Sequence, residues 1–162
     1  MLEFFLRAVT FFLAVFFAAA WGAHLFYATV IFPVQASDPP RSMAEWIASP
    51  YAMRVFGFWR IVVSCLYTVA SIALILAFVA GIRTQLALAA AGVCGLIHMT
   101  MVLSIFVPIN VKLGLDPGGP GISSLDPQTA KMLVRRWGGW NRVRVAVETV
   151  GLIAALCALR GA

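Results

Sequence analysis

Charge is scarce in this chain: of 162 residues only 11% are Asp, Glu, Lys or Arg, and just 6 are acidic. So few ionisable groups cannot coat a soluble domain of this size with a hydrated surface. Paired cysteines are missing too. Cys65, Cys94 and Cys157 lie apart within apolar runs with no Cys-x-x-Cys, which disfavours a quinone-coupled thiol–disulfide oxidoreductase. The net charge of +6 comes from basic residues spread thinly between apolar runs, so no basic face suited to nucleic acid exists and contact with anionic membrane lipid is the simpler use. What the chain has in quantity is hydrocarbon, 62% of residues being hydrophobic with a mean hydropathy of +0.96. A bilayer can cover that surface provided the backbone amides are satisfied internally, as helices do. The fold class expected is therefore an all-α membrane protein.

Crossing about 30 Å of hydrocarbon takes roughly 20 helical residues. Four runs meet that length, over residues 4–32, 56–82, 86–107 and 140–159, and together they predict one four-transmembrane-helix bundle comprising the whole chain. The first run is too long for a signal-peptide core and has no basic segment ahead of it. Pro33 and Pro108 are expected to close the first and third spans. The link Arg83-Thr84-Gln85 suits only a tight helical hairpin.

The two long connections lie on one side of the membrane, and each predicts a short interfacial helix. Ser42-Met43-Ala44-Glu45 has the form of a capping box. Asp126-Pro127 reads as an N-cap followed by the first helical residue, with Gly138-Gly139 expected to break or bend the chain before the fourth span. Residues 114–124 read as loop. Nine Lys and Arg lie on the long-loop side against three on the other, which favours a cytoplasmic position for the long loops in a multi-pass protein of the plasma or inner membrane.

Ionisable groups inside a span usually face the bundle interior, so their depth is informative. Counting from the long-loop surface, His24 lies about 12 Å down, His98 about 15 Å and Glu148 about 12 Å, on three different helices. Above them come Tyr27, Trp59, Arg60, Asn110, Trp137, Trp140, Asn141 and Arg144, and below them almost nothing polar. One end of the bundle is a polar cup and the other an apolar plug. If the three titratable groups converge, they match a two-His, one-carboxylate site for a divalent metal, while His24 and His98 alone match a haem ligand pair. A cofactor-free alternative uses a histidine to take a proton from an acidic carbon or phenol, with Arg and Asn holding the anion. Plainer roles compete at each position. Arg144 and Glu148, four apart, can neutralise each other, Arg60 can snorkel to headgroups, Trp59, Trp137 and Trp140 can anchor at the interface, and Met99, Met101 and Cys65 can simply pack.

Pro108-Ile109-Asn110 with Lys112-Leu113, then Trp137, Trp140-Asn141 and Arg144, form a Pro-x-Asn and Trp-x-x-x-Asn-x-x-Arg pattern. It resembles that of the anthrone oxygenase-like membrane family. The first span is also similar, with small residues and Tyr27 ahead of Pro33. The resemblance implies a four-helix membrane protein, some relatives of which use molecular oxygen, with no obvious cofactor, to turn an anthrone into an anthraquinone in polyketide pathways. It carries over to Pro108, Asn110, Trp137, Asn141 and Arg144 and leaves His24, His98 and Glu148 unmatched. The expectation is thus a membrane oxidoreductase, of the monooxygenase kind, for a hydrophobic aromatic small molecule. Its rivals are a haem- or metal-binding redox protein and a non-enzymatic module for lipid or a partner protein. A homo-oligomer is compatible with the sequence.

Overall fold

The computed structural model describes residues 1–82, 85–115 and 121–161, and helices with short turns between them make up those residues, with no strand among them. Four long helices carry the architecture. Helix α1 runs over Leu2–Gln35, α3 over Ala52–Ala80, α4 over Leu86–Leu113 and α5 over Pro127–Gly161, and the short α2 covers Arg41–Ile47. Each long helix packs against two others, in the ring order α1, α3, α4, α5. Three of them, α1, α3 and α4, are long and apolar enough to cross a bilayer, which makes the chain an integral membrane protein. The link residues Arg83 and Thr84 and the loop residues 116–120 lie outside the described residues.

Two prolines expected to end helices do not. A π-helical turn over Tyr27–Ile31 precedes Pro33, another over Val102–Phe106 precedes Pro108, and the helices continue to Gln35 and Leu113. A wide turn just ahead of a proline makes room for its ring, so the chain bends without stopping. Each π turn begins within about one helical turn of a buried histidine, His24 or His98.

The expected break at Gly138-Gly139 is also absent, because α5 is one unbroken helix of 35 residues. Gly138 serves close approach instead. A Cβ there would lie 2.1 Å from Cζ of Phe32, which occupies the space. The expected N-cap is in place: Asp126 accepts from the amides of Gln128 and Thr129 at 3.0 and 2.9 Å, and the Thr129 side chain together with these amides holds its carboxyl below the usual carboxylate range. The segment expected as a separate second interfacial helix is therefore the first turns of α5. Helix α2 does form, but not on the expected capping box. Ser42 donates to the carbonyl of Gln35 and accepts from the amide of Asp38, and Glu45 pairs with Arg41.

The end of the bundle away from the long connections is packed on small residues. Cβ atoms built at Gly92 and Gly95 of α4 would meet Leu74 and Ala70 of α3 at 2.6 and 2.4 Å, and one at Gly151 of α5 would meet Phe17 of α1 at 2.4 Å. In hydrocarbon, close backbone approach of this kind supplies the association energy that water would otherwise provide. Buried Leu13, Phe17, Leu66, Ala70, Ala73, Leu88 and Ala91 complete this apolar plug. A second apolar cluster at the other end, including Met43, Leu113, Ile122 and Val134, roofs the space between.

Candidate functional site

Between the two clusters, helices α1, α4 and α5 bring their titratable side chains to one point. His24 Nδ1 lies 2.6 Å from Glu148 Oε1, and His98 Nε2 lies 3.1 Å from the same oxygen but off the hydrogen-bonding line. All three residues are buried, at 2%, 1% and 0% exposure. Among the described residues, Glu148 Oε2 has no hydrogen-bonding partner. The equal depths inferred from helical rise become contact here because α5, which carries Glu148, packs against both α1 with His24 and α4 with His98.

Trp59 of α3 lies flat on His24, with ring centroids 3.7 Å apart and planes 8° from parallel. The stack fixes the imidazole from one side while Glu148 fixes it from another. Above this pair opens a cavity of about 240 Å3, lined among others by His24, Tyr27, Trp59, Arg60, Asn110, Trp137 and Arg144. Its size suits a molecule of a few fused rings rather than a macrocycle.

The polar groups around the cavity are held by one another. Arg144 donates to Asn141 and its guanidinium lies 4.1 Å over the ring of Phe106. No direct Arg144–Glu148 ion pair is found among the described residues, but the two charges still attract across one helical turn while the guanidinium faces an aromatic wall. Trp137 donates its indole N–H to Asn110 at 3.0 Å. Tyr27 donates to the buried Gln35.

Not every expected residue reaches the cavity. His98, Glu148 and Asn141 sit one layer behind, supporting His24 and Arg144, and Trp140 is half-buried in the upper apolar cluster, away from the lining. Conversely, Phe56, Val63, Ser64, Met99, Val102, Phe106 and Val107 line it without having been singled out for the site. Gln35 was also missed. A lone amide two turns beyond Tyr27 and just past Pro33 was its visible signal, masked by the expectation that the helix ended at that proline.

Candidate ligand atoms of His24, His98 and Glu148 all lie within 4.8 Å of one another, a donor set that fits a small divalent cation. A haem held between the two histidines does not fit the residues present. Glu148 Oε1 lies 2.6 Å from His24 Nδ1 and 3.1 Å from His98 Nε2, in the space that an iron between them would take.

A family model described as anthrone oxygenase matches residues 46–154, about two thirds of the chain. The chain belongs to that family. No curated protein and no solved structure matches it.

Proposed function

With membership of the anthrone oxygenase family as the premise, we propose that this protein is a membrane oxidoreductase of the monooxygenase kind. Its substrate is an apolar aromatic molecule carrying a CH2 flanked by aryl rings and a carbonyl or phenol oxygen. The observation that carries the reading is the His24–Glu148 pair at the floor of a cavity walled by Trp59, Trp137 and Phe106. With its Nδ1–H given to the carboxylate, His24 has Nε2 for substrate, and the carboxylate fixes that tautomer and the orientation of the ring. His24 takes a proton from the CH2, and Arg144, placed by Asn141, holds the charge that gathers on the substrate oxygen. The carbanion passes an electron to molecular oxygen, and the two radicals combine to a peroxide that takes up the proton. Loss of the second C–H proton with cleavage of the O–O bond leaves a ketone and one water, so CH2 and O2 become C=O and H2O. Tyr27, Arg60, Asn110 and Trp137 orient the ring system, and His98 holds Glu148 in place.

A second reading rests on the orphaned Glu148 Oε2 and the buried cluster around it: His24, His98 and Glu148 hold a divalent metal that supplies the oxygen chemistry. Metal analysis of purified protein separates the two. The same overall reading takes α5 through the bilayer from about Trp140, seats α2 at the interface, and assigns the protein to the plasma or inner membrane with lipid as its surroundings.

The test is oxygen uptake and anthraquinone formation by protein in lipid nanodiscs supplied with anthrone. Conversion that depends on His24 supports the proposal. A folded His24→Ala variant as active as the parent sinks the role given to His24, and a folded parent that converts no anthrone favours a non-enzymatic module.

A further inference from the structure

The cavity has a side wall with a gap in it. Helices α3 and α4 are locked together over their plug ends by Gly92 and Gly95, but beyond Met101 the two no longer pack closely. The split coincides with the π turn Val102–Phe106, and the cavity lies in it, with Arg60, Ser64 and Val107 lining it while remaining exposed on the outer surface. Ser64 lies ten residues, about 15 Å, inside the apolar span that begins at Arg54, which sets the mouth at hydrocarbon depth. On the same stretches of α3 and α4, Ile61 and Leu103 are exposed at 66% and 57%, so apolar surface accompanies Arg60 near the opening.

The opposite route, from water through the long-loop end, is covered. Met43, Leu113 and Ile122 are buried there at 0%, 0% and 2%, and Trp46 of α2 packs edge-on against both Tyr27 and Phe56 with centroids 6.1 and 5.4 Å apart. A ligand entering from above would have to displace this roof, whereas one dissolved in the bilayer meets an open seam.

We propose that the α3–α4 seam is a lateral portal through which a bilayer-dissolved, uncharged aromatic substrate enters from the leaflet on the long-loop side. This deepens the reading of the cavity as an aromatic substrate site and names the phase that delivers its ligand. The plug-end glycine contacts act as the fixed end, and the ends of α3 and α4 beyond them form the two jambs.

The portal is tested by photolabelling protein in vesicles with an uncharged aryl diazirine that partitions into the bilayer, followed by peptide mass spectrometry. Met99, on the inner wall, becomes labelled. Ser64→Trp, which fills the mouth, cuts that labelling about tenfold, Ser64→Leu cuts it less, and Phe78 on the lipid surface of the plug end is labelled as before in both. Absence of Met99 labelling in the parent overturns the portal. So does labelling that neither substitution alters, or labelling as strong from a charged, membrane-impermeant aryl diazirine added in water. Because labelling needs no turnover, a parent that is labelled yet inert toward anthrone refutes the oxidation chemistry and leaves the portal standing. Where turnover is measured, Ser64→Trp lowers kcat/KM about tenfold with little change in kcat, the sign of hindered entry.

Discussion

The two halves of the bundle solve the same packing problem in opposite ways. At the plug end, glycines at 92, 95 and 151 let backbones and Phe17 close up until no space remains. At the cup end, the same helices carry π turns, large aromatic side chains and buried polar groups, and a cavity of about 240 Å3 persists. The difference is one of tolerance. Small-residue seams in hydrocarbon gain their stability from contact alone, so they close, whereas a buried carboxylate and two imidazoles must keep specific distances and hold the walls apart. One half supplies stiffness and the other spends it on a site.

That contrast predicts which half answers to which assay. The largest effect falls on chemistry: His24→Ala lowers anthrone turnover about 100-fold or more, as loss of a general base does, while the protein elutes as a folded monodisperse species. Glu148→Gln, which keeps the shape and removes the charge behind His24, follows with a loss of kcat rather than a rise in KM. Arg144→Leu costs about 10- to 100-fold by removing the cation that faces the substrate oxygen, and Arg144→Lys restores part of it. Each would break the comparison if it unfolded the bundle while sparing turnover in the folded fraction.

On the other side of the comparison, Gly151→Leu forces a side chain into Phe17 and lowers thermal stability by about 1–3 kcal/mol, the usual cost of overpacking. Turnover per folded molecule stays near that of the parent. Gly138→Ala behaves alike through Phe32 but sits nearer the cup, so it sharpens where the two regimes meet.

The smallest effect concerns the cap of α5. Asp126 is held ionised by the Thr129 side chain and the amides it caps, so its folded value lies below its unfolded one. That contribution is present above the ordinary carboxylate range and is lost as pH falls through the folded value. Asp126→Ala therefore lowers the thermal midpoint slightly at neutral pH and flattens its acid dependence, leaving the cup untouched.

The sequence made much of this legible. Hydrocarbon content required a bilayer, and the apolar runs located three crossing helices and the fourth helix beside them. Rise per residue alone put His24, His98 and Glu148 at one level. It misjudged the helix ends at Pro33 and Pro108, because π turns are set by local geometry that leaves no mark in hydropathy, and it read Gly138-Gly139 as a break when Phe32 had claimed the space. Gln35 and the lining of Phe56, Met99 and Phe106 were hidden for the same reason.

By itself, then, the sequence determined the solvent, the helical class and the depth of each ionisable group, since these follow from composition and a fixed rise per residue. Only the tertiary structure decided which helices are neighbours, that two imidazoles approach one carboxylate oxygen, that Arg144 lies over the ring of Phe106, and that α3 and α4 part above their glycine seam. Those outcomes depend on helix rotation and on side chains competing for shared volume, and neither is written along a single helix.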